Sequence, residues 1–254
     1  MPFAQNILKY HSLRPIKKLG RALSNSWPFP ILAKLETGRP MYVDLRSAVG
    51  RGIFATGKFD PAVFLPIAEV LVPGDTFLDV GANVGYYSML ALDAIGPKGR
   101  IHAFEIDPRP LKCLRKTIER FELGNLLLHE TAAGEKEGVL NFTMREDCGN
   151  SSLTTDPSGI KVPVCRIDDV VKQTRDSVIR AIKIDIEGAE LPALRGASSL
   201  LAAHHPLLVI ECDDELQASF GYQTPELIDF LDNLGYSVSP LQGTYSPTIV
   251  ARFC

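Results

Sequence analysis

The stretch Phe77-Leu78-Asp79-Val80-Gly81-Ala82-Asn83-Val84-Gly85-Tyr86-Tyr87-Ser88 constrains this chain more than any other. A mostly apolar run carries one carboxylate, Asp79, near its end and passes into a turn bracketed by Gly81 and Gly85. Beyond Gly85 the apolar residues Tyr86, Met89, Leu90 and Leu92 recur at helical spacing. The pattern predicts a buried strand, a tight loop and a helix opening over that loop. Neither glycine has a Cβ, so a ligand or the next helix can approach the backbone there. The helix start presents unpaired N–H groups at the positive end of its dipole.

The next strand sharpens this reading. Arg100–Phe104 is apolar-rich and leads into Glu105-Ile106-Asp107-Pro108. Glu105 follows Asp79 by 26 residues, about one strand–helix–strand unit. A carboxylate at that place can accept both hydroxyls of an adenosine ribose. NAD and S-adenosylmethionine both fit a nucleoside site of this kind. Two details favour the latter. The middle position of Gly81-x-Asn83-x-Gly85 carries a side chain where a pyrophosphate needs bare backbone. Asp79 would also repel a pyrophosphate, whereas it suits a sulfonium and an ammonium.

The rest of the chain extends the alternation. Ile31–Leu35 and Met41–Leu45 read as a hairpin, followed by a glycine-rich stretch at Gly50, Gly52 and Gly57. Asp60-Pro61 opens a helix that Pro73-Gly74 ends, and these pieces are expected to cap the ligand edge of the sheet. Strands are predicted near 77–80, 101–105, 125–129, 181–186, 206–211, 236–241 and 249–253. Helices lie between most of them. Gly138–Met144 and Lys161–Cys165 break the pattern and predict an antiparallel insertion around a polar loop. A further polar loop is expected over Asp213–Gln223.

Charge is uneven. Of 27 basic residues, six (Lys9, Arg14, Lys17, Lys18, Arg21 and Lys34) fall within residues 1–35, where there is no acid. The remainder holds 21 basic and 30 acidic residues, a net −9, so nothing points to nucleic acid. Residues 1–30 read as a basic, partly helical extension, and residues 31–254 as the catalytic domain. A helix packed on the domain with a solvated basic face is preferred for the extension. A peripheral membrane contact is the alternative. Five cysteines without paired spacing fit reduced thiols in a cytoplasmic protein. No apolar run approaches the ~20 residues of a membrane helix.

Lys183-Ile184-Asp185-Ile186-Glu187-Gly188-Ala189-Glu190 joins the fourth parallel strand to its helix. Ligands bind beyond the carboxyl ends of strands beside the order reversal, and the first and fourth strands should flank it. Asp185 would then share a crevice with Asp79 and Gly81. Carboxylates in a helix's first turn also have a plain explanation in the dipole. Yet three acids near Lys183 exceed what one helix start needs. Glu211 and Asp213 end the fifth strand. With Asp185 they raise the alternative of a magnesium site, as in catechol-type enzymes, against the preferred reading of no metal.

Taken together, FLDVGANVGYYS (77–88), AFEIDP (103–108), TAAG (131–134), NSSL (150–153) and KIDIEGAE (183–190) resemble the FkbM family of SAM-dependent methyltransferases. The resemblance spans roughly residues 40–215. It implies an α/β, Rossmann-like class I methyltransferase fold. That fold has a mostly parallel seven-stranded sheet with helices on both faces, an N-terminal hairpin and helix cap, and a β insertion. It implies S-adenosylmethionine as cofactor and methyl transfer to a hydroxyl of a sugar, glycolipid or polyketide-type metabolite. Cofactor-binding residues would be Asp79, Gly81, Ala82, Asn83, Gly85, Glu105, Ile106 and Ala132. Ser151, Ser152 and Glu211 would face or cover the acceptor. Asp185 is the expected general base, with Glu187 assisting. The competing readings are a metal-dependent O-methyltransferase and an NAD-dependent oxidoreductase on a related sheet.

Overall fold

The computed structural model describes residues 29–144, 152–154, 159–174 and 178–254, with only the backbone of 152–154. The expectations for the arm over residues 1–28 and for Ser151 lie outside the described residues. The chain opens with an antiparallel hairpin, β1 (Ile31–Lys34) and β2 (Pro40–Val43), then helices α1 (Ala48–Thr56) and α2 (Pro61–Val70). Alternation follows through β3 (Thr76–Val80), α3 (Tyr86–Ile95), β4 (Arg100–Phe104), α4 (Pro108–Arg120) and β5 (Leu126–His129). The insertion is a sheet of β6 (Ala132–Ala133), β7 (Gly138–Thr143), β8 (Ser152–Thr154) and β9 (Ile160–Cys165), in the order β6-β9-β7-β8. The chain returns through α5 (Ile167–Lys172), β10 (Ile179–Ile184), α6 (Glu190–Arg195), α7 (Ser198–His204) and β11 (Leu207–Glu211). It ends with α8 (Asp214–Ala218), α9 (Thr224–Asn233), β12 (Tyr236–Pro240) and β13 (Thr248–Phe253).

The seven-stranded sheet has the order β12-β13-β11-β10-β3-β4-β5. Only β13 runs antiparallel to its neighbours. The expected order reversal falls between β3 and β10, which pair in parallel with Asp79 opposite Lys183. Every residue of β3 is buried, because helices cover both faces. Alternation along the strand sends Phe77 into one core and Leu78 and Val80 into the other. On α4, Leu111, Leu114 and Thr117 recur on the buried face. Thr117 Oγ1 accepts a 2.9 Å hydrogen bond from the Tyr42 N–H, which fastens the hairpin to that helix. Among the described residues, no helix is long and apolar enough to cross a membrane.

Three local expectations change. The glycine-rich stretch is a helix, α1, capped by Ser47, whose hydroxyl accepts from the Gly50 N–H at 2.8 Å. Gly50 serves close packing: a Cβ there would lie 2.0 Å from the Asp44 carbonyl oxygen. The loop after β11 contains helix α8, with the Asp213 carboxylate accepting from the N–H groups of Glu215 and Leu216. The helix after β10 starts at Glu190, so Glu187 is outside its first turn. Glu187 and Gly188 take φ of +56° and +103° instead. A Cβ on Gly188 would sit 2.5 Å from the Leu216 carbonyl oxygen.

Gly50→Ala gives a clean test of the packing reading. In an open helix the change stabilises by about 1 kcal/mol. Here the clash with backbone should reverse the sign and cost about 1–3 kcal/mol. Urea denaturation should show a lower midpoint; an unchanged or higher one would mean the contact relaxes freely.

Candidate active site

A cavity of about 360 Å³ opens at the carboxyl ends of β3, β4, β10 and β11, within the ~300–1,000 Å³ range of small-molecule sites. One end is lined by Gly81, Ala82, Asn83, Glu105, Ile106 and Ala132. The loop after β3 is anchored where the N–H groups of Gly81 and Ala82 both donate to the Phe104 carbonyl, at 3.0 and 2.9 Å. Gly81 has φ +80°, and a Cβ on it would lie 1.8 Å from the Asp185 carbonyl oxygen. The glycine is therefore demanded by the neighbouring strand end. Gly85 does not line the cavity; it starts α3 with φ +88°, and a Cβ would meet the Leu114 side chain at 2.6 Å.

Glu105 is held by three backbone donors. The N–H of Asn83 reaches Oε2, and those of Ile106 and Asp107 reach Oε1, each at 2.7 Å. Burial outweighs these bonds and pushes its carboxyl up to about 7. A carboxylate has about four acceptor positions, so capacity for a ribose hydroxyl remains. With apolar Ala132 and Ile106 alongside, the donor set fits an adenosine.

Asp79 lies beneath the cavity floor, fully buried. Its Oδ2 accepts from the Ser88 N–H at 3.0 Å and the Ser88 hydroxyl at 2.6 Å, while Oδ1 has no hydrogen-bond partner among the described residues. Burial raises its pKa against the pull of Lys183 and Ser88. Lys183 is equally enclosed. Its Nζ donates to the Gly81 carbonyl at 2.7 Å and lies 3.3 Å from Asp185 Oδ2 and 3.8 Å from Asp79 Oδ1. It also stands 5.4 Å from the centre of the Tyr87 ring. Burial opposes its charge, but the adjoining carboxylates, Asp185 foremost, keep it protonated.

The other end of the cavity is built from distant segments. Phe59, Asp60, Tyr87, Asp185, Glu211 and Tyr245 line it. Burial works against ionisation of Asp185, yet Lys183 and a hydrogen bond from Glu211 outweigh it and hold its carboxyl below the ordinary range. Its side chain remains 41% exposed, so it opens into the cavity. Glu211 moves the other way, raised by burial and by the adjacent Asp185. Glu187 also faces the cavity. The backbone of Ser152 lies in β8 of the insertion.

Several residues of this end left little signal in the sequence. Asp60 reads as a helix cap, but it makes no capping bond. Its carboxylate instead accepts the Tyr245 N–H at 2.7 Å, across 185 residues of chain. Phe59 and Tyr245 stack with ring centres 5.5 Å apart. Among the described residues no group of three His, Cys, Asp or Glu side chains is disposed to hold a metal ion. Asp213, one member of the magnesium alternative, is committed to capping α8.

This sheet order, with a glycine turn after its first strand and a carboxylate after its second, defines a class I methyltransferase whose methyl donor is S-adenosylmethionine. Residues 79–238 match the family described as the Methyltransferase FkbM domain, and the chain belongs to that family. The nicotinamide alternative is thereby set aside. A 31-O-demethyl-FK506 methyltransferase, FkbM, from Streptomyces tacrolimicus is 28% identical over 170 residues, covering 54% of this chain and 65% of the relative. A probable cobalt-precorrin-6B C(15)-methyltransferase (decarboxylating) from Sulfolobus acidocaldarius is 41% identical over 68 residues, covering 27% of this chain and 34% of the relative. The chain thus spans less than two thirds of the length of these curated relatives. The crystal structure of methyltransferase FkbM from Methylobacillus flagellatus KT shares the fold with a TM-score of 0.51 and 21% identity, over 73% of this chain and 49% of that one.

Two outcomes are expected. If the ionised Glu105 receives the ribose, affinity should rise with pH through about 7, because protonation removes the acceptor position left for a ribose hydroxyl. Calorimetry with S-adenosylhomocysteine from pH 5.5 to 8.5 should show this slope, and Glu105→Gln should bind weakly and flatten it. Lys183→Met should cost about 3–5 kcal/mol in denaturant titrations, because it leaves buried carboxylates without their cation.

Proposed function

We propose that this methyltransferase acts on a hydroxyl group of a small-molecule or glycan acceptor, of the sugar, glycolipid or polyketide type, with Asp185 as general base. The position of Asp185 carries the reading. It stands at the end of β10, beside the order reversal, in one cavity with Glu105 and the 81–83 loop. An anion held ionised by Lys183 and open to the cavity is suited to take a proton from an attacking alcohol.

S-adenosylmethionine supplies the electrophile, a methyl group on a sulfonium. The chain's own task is positioning and proton handling. Glu105 and the 81–83 loop hold the nucleoside end. The carboxylates around Lys183 complement a cationic ligand. Asp185 accepts the acceptor's proton, and Glu187, also lining the cavity, assists by its field or by orienting the acceptor. The stacked Phe59 and Tyr245 rings offer a flat apolar face at the mouth, which suits the face of a sugar ring or a macrocycle. The Streptomyces tacrolimicus relative is a 31-O-demethyl-FK506 methyltransferase, a name that denotes O-methylation and supports a hydroxyl acceptor here.

The test is a methyl-transfer screen with labelled S-adenosylmethionine against glycan and lipid extracts. Label should enter a neutral, hydroxyl-bearing product as a base-stable ether. With that acceptor, Asp185→Asn should lower kcat by about 10²–10⁴-fold while cofactor affinity changes little. Near-normal turnover by the Asn variant would remove Asp185 from the chemistry. Loss of wild-type activity in EDTA, restored by Mg²⁺, would replace this reading with the metal-dependent one.

A further inference from the structure

β10 and β11 run in parallel with Ile184 opposite Ile210, so Asp185 and Glu211 leave the sheet side by side. Both line the same cavity, each within the electrostatic reach of the other. Two bare carboxylates on adjacent strand ends repel each other, and one shared proton turns that repulsion into a hydrogen bond. The surroundings decide which group carries it. Lys183 Nζ lies 3.3 Å from Asp185 Oδ2 and favours the anion there. Burial and the negative field of Asp185 and Glu187 favour the protonated form of Glu211 and outweigh the opposing hydrogen bond with Ser246. The other titratable groups adjoining the pair are Asp60, Asp79 and Tyr87 on the Asp185 side and Cys212 beside Glu211.

We propose that Glu211 is a positioning residue: it carries the pair's proton and donates it as a hydrogen bond to Asp185, which is thereby fixed as a single anionic base. The proposal rests on the hydroxyl-transfer reading above for its catalytic meaning. In that reaction the acceptor's O–H bond breaks and its proton goes to Asp185. The C–O bond forms as the C–S bond breaks, and the electron pair of that bond stays on sulfur. Glu211 keeps its own proton throughout. It therefore supplies order and charge economy to the site, since a second bare carboxylate beside Asp185 would repel it.

The proton itself can be read without an acceptor. Infrared difference spectra of the full chain, wild type minus Glu211→Gln, each saturated with S-adenosylhomocysteine at neutral pH, should contain the carbonyl stretch of a protonated carboxylic acid. Finding only ionised-carboxylate bands would overturn the proposal. With an acceptor from the screen, Glu211→Leu should lower kcat by about 100-fold and leave S-adenosylhomocysteine affinity unchanged. The acid limb of its kcat/KM profile should move to higher pH, because Asp185 loses a donor. Glu211→Gln, whose amide still donates, should recover most of the lost rate and the wild-type limb. A Gln variant as slow as the Leu variant would show that Glu211 works as an anion or a metal ligand, and a Leu variant like wild type would show that it has no part. Failure of the hydroxyl-transfer reading would appear separately, as no wild-type turnover on hydroxyl acceptors alongside a normal infrared result.

Discussion

An ammonium buried at the carboxyl edge of a sheet must be met from every side. Desolvation of such a charge costs several kcal/mol even after relaxation. Lys183 is met by the Gly81 carbonyl from the first loop, by Asp185 from its own strand and by the Tyr87 ring from α3. Asp79 stands opposite it across the β3–β10 pair. This one cation therefore joins the loop after β3 to the strand end after β10, the two pieces of chain between which the ligand cavity opens. It also sets the protonation of its neighbours, holding Asp185 ionised while the more deeply desolvated Asp79 is raised.

The glycines follow from the same convergence. Gly81 is bare because the Asp185 backbone occupies the space of its side chain, and Gly188 because α8 passes against it. Strand ends that must approach this closely leave no room for Cβ atoms, and both residues adopt positive φ. The resulting floor is rigid. The roof is assembled from two segments far apart in sequence, residues 59–60 and 245–246, joined by the Asp60–Tyr245 hydrogen bond and a ring stack.

Much of the architecture was legible before any coordinates. The apolar runs ending at Val80, Phe104 and Ile184 are strands buried on both faces, and their glycine and proline punctuation is local chemistry. The misread pieces share a cause. Gly50 looked like a loop residue, since a glycine's need for close approach to Asp44 cannot be told from a need for φ freedom. Asp213 reads as an acid of a polar loop and Glu187 as a carboxylate in a helix's first turn. Their roles depend on where the next helix starts: α8 begins one residue after Asp213, which caps it, and α6 three residues after Glu187, which is left outside it.

By itself the sequence determined the strand–helix alternation, the placement of Asp79, Glu105, Asp185 and Glu211 at or next to strand ends, and the family to which the motifs belong. These are periodic or local properties, written within a few tens of residues. Tertiary structure alone decided that Asp79 lies below the cavity floor while Asp185 opens into it, that Asp185 and Glu211 leave neighbouring strands side by side, and that Asp60 ties down the Tyr245 loop. Each of these depends on the field and volume left by residues remote in the chain, and charge and space sum over three dimensions rather than along the sequence.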